Sequence, residues 1–220
     1  MDIANLRVAA YIAVGLLVGK MVREHTRASV ASTLGDPTPR LWGRLSWHPR
    51  SWFDPFGSGV VPGLILVLWA ASASFLPPPA AYGKPAPVDP AYLKRPVRDQ
   101  LLIGFAGPVS NIALGIAAGL LVRVTGQTSN FELFRALLAF EFTQLCLAIF
   151  HLLPIPGLDG ARLVGLALRG DAARVYRDAD RYLPLFVLLA LFLIAGVIQA
   201  IVYGLVDAIC RLASGFPCTP

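Results

Sequence analysis

Val8-Ala9-Ala10-Tyr11-Ile12-Ala13-Val14-Gly15-Leu16-Leu17-Val18-Gly19 runs without a break into Lys20-Met21-Val22-Arg23-Glu24-His25-Thr26-Arg27. The first part is apolar enough to enter a bilayer, and the second turns basic without offering a small-residue cleavage site. A secretory leader starts with a basic region, whereas this chain starts Met1-Asp2-Ile3 with Arg7 as its only early base, so the stretch reads as a retained helix. Gly15, Gly19, Arg23, Arg27 and Ala31 recur every four residues and fall on one stripe of that helix. Small residues at this spacing allow helices to approach closely in lipid.

The rest of the chain repeats the pattern. Of 220 residues, 56% are hydrophobic and 15% charged, against about 25% charged in an ordinary soluble domain. Charge is missing in blocks: between Asp54 and Lys84, Gln100 and Arg123, and Tyr182 and Asp207. Each block reaches the roughly 20 apolar residues that cross a bilayer core as helix. This excludes a soluble globular domain, a disordered chain and a secreted disulfide scaffold. The net charge of +6 reads as an orientation signal and not as a nucleic-acid interface. Cys146, Cys210 and Cys218 match no zinc spacing; Cys146 reads as a buried small hydrophobe, and a Cys210–Cys218 pair requires the C-terminus to lie outside.

Hydrophobic segments are expected at about 6–33, 59–76, 101–124, 133–153 and 183–208. The fold class is therefore an all-α polytopic membrane protein. It is expected as a single integral-membrane domain over 1–220, with a core of about 6–160 and an accessory C-terminal helix at about 183–208. Between the first two segments, alternation at Leu41, Gly43, Leu45 and Trp47 suggests a short β-hairpin at about 36–50. Trp42, Trp47 and Trp52 suit headgroup level. Most Lys and Arg residues fall in three clusters, at 20–58, 77–100 and 159–182. If all three are cytoplasmic, 59–76 is re-entrant and the chain crosses four times with both termini outside; five full spans is the alternative. Pro62, Gly63 and Pro77-Pro78-Pro79 suit a broken segment, whose backbone must then be covered by protein.

Four motifs carry chemistry: Arg23-Glu24-His25-Thr26-Arg27 with Gly35-Asp36; Gly43-Arg44-Leu45-Ser46-Trp47-His48-Pro49 with Asp54-Pro55-Phe56-Gly57; Ala106-Gly107-Pro108-Val109-Ser110-Asn111; and His151-Leu152-Leu153-Pro154-Ile155-Pro156-Gly157-Leu158-Asp159-Gly160. Together with Gly83-Lys84-Pro85-Ala86-Pro87-Val88-Asp89-Pro90 they resemble the site-2 protease family of intramembrane zinc metalloproteases, in its compact bacterial branch without a PDZ domain. The resemblance covers about 20–160. It implies a helix-one motif H-E-x-x-H about eight residues before a Gly-Asp pair, and a later N-L-x-P-x-P-x-L-D-G.

In an H-E-x-x-H helix two histidines on one face bind zinc and the Glu acts on the metal-bound water. Counting back from Gly35-Asp36, those positions hold Arg23, Glu24 and Arg27: the general-base position is kept and both histidines are arginines. A guanidinium offers a metal no lone pair. The implied third ligand matches Asp159, and His151 stands where the family has Asn. No other histidine restores the site. His25 lies about 200° around the helix from Arg23, His48 is in the expected hairpin, and His151 with Asp159 and Glu24 has no recognised spacing. Zinc is expected to be lost, with no cofactor in its place. Arg23 and Arg27 are expected to neutralise Asp159, with Glu24, in a metal-free cluster; the alternative has both arginines snorkelling to the cytoplasmic surface. Asn111 and His151 are expected to line the site. Leu41, Gly43, Leu45 and Trp47 are expected to offer a substrate by strand addition.

The functional expectation is a degenerate homologue in the bacterial cytoplasmic membrane that binds transmembrane segments or membrane partner proteins. Its partners would be the bilayer, a transmembrane or membrane-associated protein and, in a homo-oligomer, further copies of itself, with no nucleic acid. An active metalloendopeptidase with an unconventional site, and a carrier or channel component reusing the polar cavity, are the alternatives.

Overall fold

The computed structural model describes residues 3–71, 75–84, 86–126, 130–168, 170–193 and 195–219. Met1, Asp2, Pro85 and Arg169, which the sequence reading uses, lie outside the described residues. The chain folds in order as α1 (Ile3–Thr33), α2 (Thr38–Leu41), α3 (Val61–Ala70), α4 (Pro96–Thr125), α5 (Phe131–Leu152), α6 (Ala161–Ala167), α7 (Gly170–Asp178), α8 (Leu183–Leu188) and α9 (Ala195–Ala213). Among the described residues four helices, α1, α4, α5 and α9, are long and apolar enough to cross a membrane.

Helix starts follow local chemistry. Asn130 caps α5 by accepting from the Leu133 amide at 3.1 Å. Pro96 opens α4, where a missing N–H costs nothing, and the Asp99 carboxylate reaches back to the Arg95 amide at 2.9 Å. Asp54 accepts from the Phe56 and Gly57 amides and so starts the π-helical turn Pro55–Val60 that leads into α3.

The glycine stripes seat α5 between α1 and α4. A Cβ on Gly15 would meet Thr143, one on Gly19 would meet Gln144, and one on Gly115 would meet Leu145. Each glycine therefore gives up side-chain volume so that α5 can sit within contact of both neighbours. Ile12, Leu16, Leu145, Phe150, Leu191 and Val202 fill the core between α1, α5 and the C-terminal helices.

The segment expected at 59–76 turns back on itself. The Tyr82 amide donates to the Gly57 carbonyl at 2.9 Å and the Lys84 amide to the Trp52 carbonyl at 3.2 Å, so the two flanks lie side by side at one level. The irregular return strand carries carbonyls that lipid could not satisfy. Tyr203 and Gln199 of α9 donate to the Leu76 carbonyl at 2.7 and 3.2 Å, and Trp69 donates to the Pro77 carbonyl at 3.0 Å. Protein side chains replace the missing water.

Two expectations are corrected. No β-hairpin forms at 36–50: the described residues there make α2, a run of turns and the 3-10 turn Pro49–Ser51. Asp36 accepts from the Thr38 amide at 2.9 Å, and the Arg44 amide closes back on the Pro39 carbonyl at 2.8 Å. Pro37 and Pro39 favour this coiled start and remove two amide donors that a strand would use. Leu41, Gly43, Leu45 and Trp47 therefore present no strand edge. At the other end, the segment expected as one helix over 183–208 is two, α8 and α9, joined through the π-helical turn Leu189–Leu193, and α9 runs on to Ala213. A disulfide joins Cys210 to Cys218 beyond it, while Cys146 is free and buried.

Candidate functional site

The register of α1 against α4 decides the site. A Cβ on Gly107 would meet the Arg23 side chain at 2.8 Å and that of Arg27 at 3.1 Å, so both arginines lie across the bare backbone of α4. The loop after α5 brings Asp159 to them: the Gly160 amide donates to the His151 carbonyl at 2.9 Å, folding the Pro154–Gly160 turn back under α5. A side chain on Gly160 would strike the backbone of Leu152 and Leu153, which is why glycine stands there.

Arg23, Glu24, Arg27 and Asp159 form one buried quartet, each exposed by 5% or less. Arg23 donates from one Nη to Glu24 and from the other to Asp159 Oδ2. Arg27 Nη2 stands 3.4 Å from Asp159 Oδ1, and its Nη1 3.8 Å from Glu24 Oε2. Two cations face two anions, and the quartet is neutral. Burial alone would raise the Asp159 carboxyl, but the Arg23 and Arg27 guanidiniums overcome it and hold it down to about 2. The snorkelling alternative does not hold, because both guanidiniums are buried and turned inward on Asp159.

The residues present do not fit zinc. Both positions that would supply imidazoles hold guanidiniums, which have no lone pair to donate. Both Asp159 oxygens already face Arg23 and Arg27. Among the described residues no group of three or more His, Cys, Asp or Glu side chains could hold a metal ion.

The other expected lining residues are placed as follows. His151 is buried, with Nδ1 at 2.8 Å from the Leu147 carbonyl. Asn111 is fully buried one turn along α4 from Gly107, and neither amide atom has a hydrogen-bond partner. His25 stacks on Trp47 at 3.9 Å between ring centroids, away from the quartet, and His48 is exposed and caps its own 3-10 turn. Of the expected substrate hairpin, Trp47 reaches α1 through that stack and Leu45 is half-buried, whereas Leu41 is 79% exposed and Gly43 has no atom within 4 Å of where a Cβ would stand.

A cavity of about 540 Å³ opens beside the quartet, with Arg23, Arg27, His151 and Asp159 on one side. Leu101, Leu158 and Leu183 make its apolar wall, and the extended backbone at Tyr82-Gly83 lies along it. Two further residues escaped the sequence reading. Arg162 lines the cavity from the first turn of α6, three residues after Asp159 in the preceding turn. Glu141 is fully buried in α5, and a lone acid within an apolar run of that length was the available signal.

The Pro-x-Pro-x-x-Asp-Gly turn after α5 thus brings Asp159 against the two α1 residues that stand in the motif frame, inside a bundle with four membrane-capable helices. The chain belongs to the site-2 protease family. It is 32% identical over 167 residues to the "Putative zinc metalloprotease YwhC" of Bacillus subtilis, spanning 72% of this chain and 69% of that protein. It is 29% identical over 208 residues, 93% of this chain and 76% of the relative, to the "Putative zinc metalloprotease Rip2" of Mycobacterium tuberculosis. The Rip2 of Mycolicibacterium smegmatis is 25% identical over 171 residues, 76% of this chain and 61% of that protein. No family model and no solved structure matches the chain.

Proposed function

We propose that this chain is a catalytically degenerate member of its family, set in the bacterial cytoplasmic membrane, that binds transmembrane segments of partner proteins without cleaving them. The observation that carries the reading is the pair Arg23 and Arg27, which take the two implied histidine positions and both face the implied third ligand, Asp159. The cavity beside them supports retention of a binding groove. Orientation follows from charge and redox chemistry. The basic clusters lie at the cavity end of the bundle, whereas the Cys210–Cys218 disulfide closes the opposite end, where Arg123 of α4 donates to the Leu212 carbonyl of α9. Lys and Arg favour the cytoplasmic side, and disulfides persist on the oxidising one. The cavity therefore faces the cytoplasm and both termini lie outside.

A second reading, an active metallopeptidase with an unconventional site, is favoured by the relatives YwhC and Rip2, both named as zinc metalloproteases. Metal analysis of protein purified from its native membrane separates the two. The expected result is zinc well below one per chain, rising when Arg23→His and Arg27→His are made together. Stoichiometric zinc in the unaltered protein, lost in Asp159→Ala, would overturn the degenerate reading. A membrane protein that co-purifies and is recovered intact supports the binding role over a carrier role.

A further inference from the structure

The quartet is neutral as a count but uneven as a set of hydrogen bonds. Arg23 is satisfied at both Nη atoms by Glu24 and Asp159. Arg27, only 5% exposed, has looser partners: its carboxylate neighbours stand at 3.4 and 3.8 Å, and its buried Nε has no hydrogen-bond partner among the described residues. Arg162 on the same cavity has no ion pair among the described residues and makes one hydrogen bond, from Nη1 to the Gln100 carbonyl at 3.2 Å. The one further acid on the lining, Asp180, is exposed and attracts Arg162 electrostatically without forming an ion pair with it among the described residues.

Two guanidiniums with unused donors therefore share an apolar-walled cavity, where charge attraction is stronger than in water. Their fork geometry suits a carboxylate. The cavity also holds an unused acceptor. His151 Nδ1 lies 2.8 Å from the Leu147 carbonyl, which can only accept, so the proton is on Nδ1 and Nε2 carries the lone pair. That Nε2 is buried without a partner. The occupant must thus bring an anion for the arginines and an N–H donor for His151. A phosphate group by itself offers acceptors alone, whereas an acidic residue in an unwound chain offers both a carboxylate and a backbone N–H.

We propose that the cavity selects a partner segment carrying an Asp or Glu at its cytoplasmic boundary, with the acidic side chain held between Arg27 and Arg162 and a neighbouring backbone N–H donated to His151 Nε2. This rests on the groove reading given above and assigns the partner's chemistry. The test uses the full chain in phosphatidylcholine nanodiscs and a fluorescent synthetic Leu/Ala transmembrane peptide with Gly-Asp-Gly at its cytoplasmic end, beside a Gly-Asn-Gly twin. The Asp peptide should bind at least about tenfold more tightly, the gain expected of one charge-assisted hydrogen-bonded contact. Arg162→Gln should erase the preference and Arg162→Lys should keep part of it. Equal, measurable binding of both peptides overturns the carboxylate assignment and leaves the groove intact; binding of neither removes the groove reading itself. Loss of the preference on exchanging phosphatidylcholine for phosphatidylglycerol would give the site to an anionic lipid headgroup and overturn the assignment to a partner chain.

Discussion

Asp159 and Glu141 are both buried acids in one helical bundle, and the fold treats them in opposite ways. Asp159, 3% exposed, faces Arg23 and Arg27. Glu141, fully buried about three turns along α5 from His151, faces no cation within ion-pair distance among the described residues and has the Ser214 hydroxyl as its polar neighbour. It occupies a notch left by the absent Cβ of Gly119, beside Ala213. An ionised carboxylate without a partner costs roughly 2.5–3.5 kcal/mol at bilayer depth on insertion scales. One end of the bundle meets that cost with countercharge, the other with a fitted space that suits an uncharged side chain. Pairing makes Asp159 indispensable to its partners, while Glu141 is held by shape.

The largest test of this contrast is Asp159→Asn, which leaves two buried guanidiniums short of an anion. Loss of about 3–5 kcal/mol is expected, read as a large drop in melting temperature in detergent; an unchanged melting temperature would place the stability elsewhere. Acid should act on the same group. The folded Asp159 carboxyl is depressed from 3.8 to about 2, so its contribution is fully present above pH 4 and is lost as pH falls toward 2. That contribution is about 2 kcal/mol, and the corresponding part of the acid loss should be missing in Asp159→Asn. Closing the notch comes next: Gly119→Ala puts a Cβ against Glu141 and Ala213 and should cost about 1 kcal/mol or more, whereas Gly63→Ala meets no atom within 4 Å. Glu141→Gln, which keeps shape and removes the acid, should change stability by less than about 1 kcal/mol. A loss comparable to that of Asp159→Asn would reveal a countercharge for Glu141 and end the comparison.

The long helices and the quartet were legible because each rested on a constraint extending over many residues. The four-residue recurrence from Gly15 to Ala31 fixes the face of α1 that meets its neighbours, and the motif frame fixes Arg23 and Arg27 opposite Asp159. The hairpin was read from four alternating positions, Leu41 to Trp47, too few to outweigh Pro37 and Pro39 next to them. Glu141 was lost because hydropathy averages a single acid into its apolar surroundings. The Tyr82–Gly57 return was only half legible: charge placed both flanks on one side, but nothing in the sequence named the groups that satisfy the Leu76 carbonyl.

Those groups, Gln199 and Tyr203, belong to α9. The returning segment is therefore finished by a helix more than a hundred residues downstream. Nascent chain emerging in order has to hold that carbonyl without these donors until α9 arrives, so the early core and the late helix mature together. In lineage terms the C-terminal helix is not a dispensable addition. A descendant that shed it would first have to find another donor for one backbone oxygen.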